Sequence, residues 1–229
     1  MKIANKKSLS GRSLVLGVGV NDADYVTRIE KNKKTVWRCP FYNKWGKMLE
    51  RCYSSKSHKT HPTYIGCSVC PEWHYFSKFR LWMENQNWEG LALDKDLLVK
   101  GNRVYGPDTC CFLPQAINNH FMFSGKKINK HLPKGVYLQQ SGKYSVEIFI
   151  SQKRKYYKLF SSLKEACIYC LEKKIEIVES DIISYPELDI RAVFVLNREI
   201  KEMQQQINII QNSSPNLFDF STLQGIITV

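Results

Sequence analysis

The strongest constraint on the fold of this chain is a run of alternating apolar and polar residues between positions 134 and 160. The alternation falls into three stretches, which cover residues 134–139, 143–150 and 154–160. A period of two is typical of half-buried strands, and the short breaks between the stretches predict hairpin connections. Ser162 followed by Glu165 matches a capping box, which predicts that a helix begins there. We therefore expect a three-stranded antiparallel sheet packed on one helix.

The predicted sheet carries a large excess of positive charge. Residues 123–174 contain 12 Lys and Arg against 3 Glu. A basic sheet of this size can lie in the major groove of DNA. A meander whose basic face is only solvated is the alternative interpretation. The side chains expected to contact DNA are Tyr137, Gln139, Lys143, Ser145, Glu147, Phe149, Arg154, Tyr156 and Lys158.

Several positions in this segment match a known pattern of strand and helix spacings. They are Gly135-Val136, Gly142-Lys143-Tyr144, Glu147-Ile148, Leu159-Phe160, Leu163, Glu165-Ala166 and Tyr169. The pattern resembles the Apetala/ethylene-response-factor type of DNA-binding domain, known from plants and from mobile endonucleases of phages. The arginines that read bases in that family fall here on Tyr137, Gln139 and Phe149, whereas Arg154 keeps one arginine and Tyr156 an aromatic. The resemblance implies binding of double-stranded DNA without the family's base preference.

The charge of the whole chain also suits a polyanionic partner. The formal net charge of the chain is +13. The C-terminal segment, residues 179–229, has a net negative charge, with 3 basic and 7 acidic residues. Such a basic body is typical of nucleic-acid binding. With 43% hydrophobic residues the chain can bury a core. No run in the sequence approaches the roughly 20 apolar residues of a membrane span. We do not expect the N-terminal stretch to act as a secretory signal, because glycines and polar residues interrupt it. We therefore expect no membrane association and a location in the cytoplasm, that of the host cell if a phage encodes the protein.

Residues 91–122 form a second informative block, in which carboxylates lie near a predicted turn. The expected elements are a strand at 91–98, a turn at 100–102, short strands near 103–105 and 110–113, and a helix from Pro114. Asp94 and Asp96 are two residues apart, so in a strand both side chains would lie on one face. Two carboxylates on one face are suitable ligands for Mg²⁺ or Mn²⁺, and Asn102 or Asp108 would add a further oxygen ligand.

The block has Leu93-Asp94 at a strand end, a turn with Asn102, then Pro107-Asp108, and Gln115-Ala116-Ile117-Asn118 in a helix. In this layout it resembles the ββα-metal fold of HNH nucleases. With the sheet that follows, residues 13–175 resemble a phage-type HNH protein with a fused DNA-binding domain, similar in layout to homing endonucleases. The resemblance implies metal-dependent cleavage of DNA, in which a base activates water and the metal stabilises charge at the phosphate. Lys95 stands where the family has its general-base histidine, and Thr109 where it has a metal ligand on the helix side. The residues assigned to catalysis are Asp94, Lys95, Asp96, Asn102 and His120.

The cysteines leave two interpretations open. Cys67 and Cys70 have the spacing of a zinc knuckle, and Cys110 would supply a further thiolate to Zn²⁺. Without zinc, the same cysteines would be small apolar side chains in the core.

The expected fold class is α+β, with helices in addition to the two blocks above. Periodicity predicts helices over residues 40–53, 72–85 and 187–210, and a strand at 13–20. The expected organisation is an HNH-like ββα module with flanking helices over 1–122, a linker over 123–133, a three-stranded sheet with one helix over 134–178, and a C-terminal helix and tail over 179–229.

Three functions fit these patterns. The first is binding of double-stranded DNA combined with metal-dependent endonuclease activity. The second is a non-catalytic regulator or counter-defence protein that binds DNA or a host protein, which the missing histidine supports. The third is RNA binding through the same aromatic and basic face. The C-terminal helix is a candidate for contact with a second copy of the chain.

Overall fold

A computed structural model of the chain describes residues 11–119, 132–150 and 153–213. Helices and several small sheets occur together, which confirms the α+β class. The chain divides into two compact units between Leu113 and Pro114. This division precedes the module end expected at residue 122, and most of the linker expected over 123–133 lies outside the described residues.

The helices described in the first unit are α1 (Pro40–Tyr53), α2 (Ser55–Thr60) and α3 (Phe76–Glu84), with 3-10 turns at Pro62–Tyr64 and Pro71–His74. α1 and α3 follow the predicted apolar stripes, whereas α2 buries none of its residues and lies where the sequence predicts a polar loop. The range of α1 is as predicted, and its proline lies in the first turn, where a missing N–H costs no hydrogen bond. The helix predicted over 72–85 is interrupted, because the extended backbone of Tyr75 separates α3 from the preceding 3-10 turn.

Six short strands complete the described part of the first unit, residues 11–113. They are β1 (Arg28–Lys31), β2 (Lys34–Arg38), β3 (Ser68–Val69), β4 (Ala92–Asp94), β5 (Val104–Tyr105) and β6 (Cys111–Leu113). β1 pairs with β2 and β4 with β6, both antiparallel, whereas β3 and β5 are parallel. The parallel pair joins segments that are far apart in the sequence, so local periodicity does not predict it.

Two strand predictions for the first unit are wrong in position. Residues 13–20 form only isolated bridges, because positive φ angles of 52° at Leu16 and 79° at Gly17 turn the chain back on itself. The strand expected over 91–98 ends at Asp94, where a turn begins.

Aromatic side chains of α1, α3 and the adjoining 3-10 turn form the core of the first unit. Trp45, Trp73, Phe76 and Phe79 are each at most 2% exposed. The indole N–H of Trp45 donates to the carbonyl of Trp73 at 2.7 Å, so its one polar atom is satisfied. This core holds α1 beside the β4–β6 hairpin, and two cations of α1 reach the backbone of that hairpin region.

The second unit contains the predicted sheet and helices. Its elements are α4 (Gln115–Asn119), β7 (Val136–Leu138), β8 (Tyr144–Ile150), β9 (Lys153–Phe160), α5 (Leu163–Ser184) and α6 (Ile190–Asn212). The strands form one antiparallel sheet in the order β7-β8-β9, which confirms the prediction. Ser162 caps α5 as expected, since its hydroxyl accepts the backbone N–H of Glu165 at 3.4 Å.

One face of this sheet packs on α5. Val136, Val146 and Ile148 from the strands are buried with Ala166 and Cys170 of the helix. The two cysteines of α5, Cys167 and Cys170, thus serve as small core side chains.

The C-terminal helix α6 packs back along α5. Lys164 at the start of α5 donates to the carbonyls of Gln211 and Ser213 at 2.8 Å each, so it satisfies acceptors at the end of α6. Ile190 and Phe194 of α6 remain 77% and 70% exposed. A role of this helix in contacts between copies stays a prediction.

Within the described part of the chain, none of the helices has the length and apolarity that crossing a bilayer requires.

Candidate functional site

Asp94 lies at the end of β4, opposite Cys111 of β6. Its Oδ1 accepts the backbone N–H groups of Asp96 at 2.9 Å and Leu97 at 2.8 Å. Burial raises the pKa of the Asp94 carboxyl above its ordinary value, and the two backbone hydrogen bonds oppose that rise. The carboxylate therefore closes a tight turn, which we call the Asp94 turn (residues 94–97).

The expected pairing of two carboxylates on one strand face is wrong. Because β4 ends at Asp94, the period-two rule does not extend to Asp96. The side chain of Asp96 is 59% exposed and pairs with Lys95. The two carboxylates thus differ in environment, one closing the turn and the other reaching solvent.

Lys95 is buried, with 6% of its surface exposed. Its ammonium donates to Asp96 Oδ1 and to the carbonyl of Asn102, the latter at 3.0 Å, and lies 5.9 Å from the centre of the Tyr105 ring. A buried cation needs such partners to offset its lost hydration. The position that the nuclease resemblance assigns to a base is therefore occupied by a cation held inside the turn.

The side chain of Asn102 stabilises the loop between the Asp94 turn and β5 by hydrogen bonds to the backbone. Its amide N–H₂ donates to the carbonyls of Lys95 at 2.8 Å and Val104 at 2.7 Å, and its oxygen accepts the backbone N–H of Val104 at 3.0 Å. The side chain predicted to add an oxygen ligand thus bonds to the backbone of its own loop.

Two cations of α1 lie beside the hairpin. Lys44 donates to the carbonyl of Leu91, and Arg51 donates to the carbonyl of Leu93 at 3.5 Å. Burial lowers the pKa of Lys44, and the nearby charges of Lys47 and Arg51 lower it further. Asp94 in turn interacts electrostatically with Arg51. The end of the hairpin therefore combines a half-buried carboxylate with a cationic helix face.

The described residues do not complete a metal site. Across residues 11–119, 132–150 and 153–213, no group of three or more His, Cys, Asp or Glu side chains is arranged to hold a metal ion. Asp94 and Asp96 thus lack a third ligand for Mg²⁺ or Mn²⁺ within these ranges, and His120 lies outside them.

The cysteines predicted as zinc ligands are part of the first unit's core or pack against it. Cys67 and Cys110 are buried core residues, and the half-buried Cys70 packs against this core. Burial raises the pKa of the Cys110 thiol to about 12, so this thiol is protonated at neutral pH. The geometry matches the interpretation as small apolar side chains, and no described ligand set supports the zinc interpretation.

The second unit's sheet has an outer face, on the side opposite α5, and the residues at the centre of this face are buried. Ser145 and Glu147 of β8 are 0% and 3% exposed. Gln139 donates to the hydroxyl of Ser145 at 2.5 Å, and that hydroxyl donates to Glu147 at 3.4 Å. These three predicted DNA-contact residues therefore bond to one another, and two of them are inaccessible to a ligand.

A bulge in β9 changes the face on which two other predicted residues lie. Ile148 pairs with Tyr156, but Phe149 pairs with Arg154, so the register shifts by one residue between them. Directly paired residues share a face. Tyr156 and Lys158 therefore lie on the α5 side of the sheet, and the expectation of one face shared by them and Ser145 is wrong.

The α5 side of β9 carries a series of lysines and aromatic rings. Lys158 lies 5.1 Å from the ring centre of Phe160 and 5.0 Å from that of Tyr169. Lys173 of α5 lies 5.3 Å from the ring of Tyr156. We call this surface the lysine–aromatic edge; its residues are Lys155, Tyr156, Lys158, Phe160, Tyr169 and Lys173.

The edge is connected by hydrogen bonds as well as by ring contacts. The Tyr156 hydroxyl donates to Glu176 Oε1 at 2.7 Å, and Lys173 donates to the other oxygen of that carboxylate. Lys155 and Lys173 were not predicted as site residues. For Lys173 the signal was present, because it follows Tyr169 by four residues on the same helix face.

The remaining predicted DNA-contact residues lie around the sheet. Lys143 is exposed in the turn before β8, and Tyr137 and Phe149 are half-buried. Arg154 pairs with Phe149, at a backbone position on the outer face.

Comparisons of the chain with family models, with curated proteins and with solved structures gave no match.

Proposed function

We propose that this chain binds double-stranded DNA and that the lysine–aromatic edge of its second unit contacts the phosphates. The observation that carries the proposal is the placement of Lys155, Lys158 and Lys173 over aromatic rings along one edge. Ring faces attract ammonium groups, and the stems of the exposed Lys155 and Lys158 can cover apolar surface while their charges stay in water. Lysines held in this way lose less conformational freedom when they bind a phosphate. Lys173 is half-buried and pairs with Glu176, so it contributes less free charge.

The burial of the outer face at its centre determines whether the sheet can recognise a DNA sequence. Because Ser145 and Glu147 are buried, the middle of the sheet offers few accessible groups to base edges. Phosphate contacts position a protein on DNA but carry little sequence information. We therefore propose binding with weak sequence preference and strong salt dependence.

Lysine substitutions along the edge test this function directly. Lys158→Ala and Lys155→Ala should each weaken binding to a duplex and lower the slope of log K against log salt by about 1. Lys201→Ala is the matched control for the loss of one charge, since Lys201 is exposed on α6 and is not one of the edge residues. Fluorescence anisotropy over a salt series measures both quantities. Equal affinities for all three variants would exclude the edge, and stronger competition by double-stranded RNA would favour the RNA alternative.

A metal-dependent endonuclease is the second candidate. It is supported by the antiparallel β4–β6 hairpin, after which α4 comes next in the chain, and by the half-buried Asp94 carboxylate, which interacts electrostatically with Arg51. The described residues alone do not supply the metal site that the family resemblance implies. A further metal ligand, such as His120, would have to come from outside the described residues.

Plasmid nicking separates the two candidates. Wild type is incubated with supercoiled plasmid and Mg²⁺ or Mn²⁺, with EDTA as the blank, and compared with Asp94→Asn and His120→Ala. Asp24→Asn is the matched control, because Asp24 is an exposed carboxylate in the same unit and is not a candidate ligand. Cleavage that disappears only in the first two variants would establish the nuclease. DNA binding without cleavage would favour the non-catalytic regulator.

A further inference from the structure

The β1–β2 hairpin is a two-stranded ribbon that lies wholly at the surface. Each residue of Arg28–Lys31 and Lys34–Arg38 is exposed. The two turn residues, Asn32 and Lys33, have φ angles of 50° and 61°. Positive φ at both central residues is the type I′ geometry that matches the twist of a hairpin. The chain thus forms an ordered ribbon that buries no apolar face of its own.

The base of the ribbon is anchored in the core of the first unit. The backbone N–H of Cys39 donates to the carbonyl of Thr27 at 2.9 Å, which continues the ladder below the strands. Tyr25 and Cys39 are buried, and the tyrosine oxygen lies 3.1 Å from the cysteine sulfur. α1 begins at the next residue, Pro40. The anchor sets the direction in which the ribbon leaves the core.

Repulsion between like charges destabilises the ribbon when no ligand is bound. Arg28 pairs across the strands with Arg38, and Lys31 pairs with Lys34. Like charges directly opposite each other destabilise an antiparallel pair, and a lone two-stranded hairpin is marginally stable. The one carboxylate of the ribbon, Glu30, forms an ion pair with Arg28 at 3.0 Å. A polyanion would remove this repulsion by neutralising both pairs.

The pairing gives the ribbon one face that combines cations with apolar contact area. Ile29 pairs with Trp37, and these side chains are 37% and 38% exposed. By strand alternation, Lys31 and Lys34 lie on the same face as that pair. A face of this composition can contact the sugar and base edges with the apolar pair and the phosphates with the lysines.

We propose that the β1–β2 ribbon is a second DNA-contact element, which enters the major groove of a duplex. The major groove of B-form DNA admits a two-stranded ribbon, whereas that of A-form RNA is too narrow. The proposal rests on the proposed function in that the ligand is double-stranded DNA, but it concerns another unit of the chain. It assigns a function to a segment for which the sequence predicted no element.

The test uses the full chain and a 30-base-pair duplex, with Lys31→Ala/Lys34→Ala as the ribbon variant. Removing two phosphate contacts should lower the slope of log K against log salt by about 2 and the affinity roughly tenfold or more at physiological salt. The control is Lys56→Ala/Lys59→Ala, an equal loss of charge at exposed positions of α2. Circular dichroism checks folding, which the ribbon variant should retain because a like-charge pair is removed.

A spectroscopic readout tests the contact independently of affinity. DNA should quench the fluorescence of wild type more than that of Trp37→Phe, because Trp37 would lie against the groove. Unchanged affinity and equal quenching, with Lys158→Ala still impaired, would overturn the ribbon proposal and leave the edge proposal intact. Equal competition by double-stranded RNA would overturn major-groove entry, and a wild type that binds no DNA would overturn both proposals.

Discussion

The backbone N–H of Asp96 donates a hydrogen bond of 2.9 Å to the carboxylate of Asp94. The sequence suggested that these two residues act as equivalent ligands, but in the folded chain one is a donor and the other an acceptor within a single turn. Leu97 adds a second backbone hydrogen bond to the same oxygen. Asp94 therefore has a structural role that any catalytic role would have to share.

Asp94→Ala should destabilise the first unit by about 1–3 kcal/mol, because two backbone N–H groups lose their acceptor. Chemical denaturation measures the loss. Asp108→Ala, at an exposed position, should stay within about 0.5 kcal/mol of wild type. Equal stability of the two variants would show that the turn does not depend on the carboxylate.

Asn102→Ala should cost about 2–3 kcal/mol, because the side chain makes three hydrogen bonds to the backbone of its own loop. Lys100→Ala in the same loop is the control, since Lys100 is exposed. Thermal unfolding compares the two. A loss no larger than that of the control would mean that water replaces the amide without cost.

Gly19→Ala should destabilise the first unit by about 1–3 kcal/mol through overpacking. A Cβ there would lie 2.4 Å from Leu49 Cδ1 and 2.8 Å from the Trp45 ring. Gly46→Ala provides the matched control, because nothing lies within 4 Å of its Cβ and the residue is inside α1. That variant should gain about 0.5–1 kcal/mol from helix propensity. Denaturation curves in which both variants shift the same way would contradict this packing.

The stability of the second unit should decrease as the pH rises through the range set by Asp181. Burial raises the pKa of this carboxyl from 3.8 to about 6, so the folded state binds its proton more tightly than the unfolded state does. The free energy of unfolding therefore falls between those two pH values, by about 1 kcal/mol after allowance for solvent screening.

Asp181→Asn should remove that pH dependence. The variant should match wild type near pH 4 and exceed it near pH 7, as measured by urea denaturation at both pH values. Glu179→Gln, at an exposed position two residues earlier, is the control. A wild type that becomes more stable across this range would reverse the sign and reject the assignment.

Local signals in the sequence predicted much of the second unit. Alternation predicted β8, and the Ser162 cap predicted the start of α5, because both signals depend on neighbouring residues only. The same holds for α1, whose apolar stripe matches the buried side chains. The β1–β2 hairpin was missed because none of its side chains is buried, so it has no apolar alternation to detect.

The candidate sites were less predictable because they depend on register and on distant contacts. One extra residue in β9 places Tyr156 and Lys158 on the α5 side, and no local pattern locates such a bulge. Lys95 is buried because Tyr105 and the carbonyl of Asn102 fold back onto it. Its neighbours in sequence reveal nothing of this burial.

The sequence by itself determined the α+β class, the amphipathic helices, the three-stranded sheet and the basic character of the chain, because these follow from periodicity, capping and charge. Only the tertiary structure decided which charged groups reach solvent. The reason is that the exposure of a side chain depends on strand register and on the packing of segments distant in sequence. Asp94 and Lys95 were consequently drawn into a turn, while Lys155, Lys158 and the β1–β2 ribbon were left at the surface.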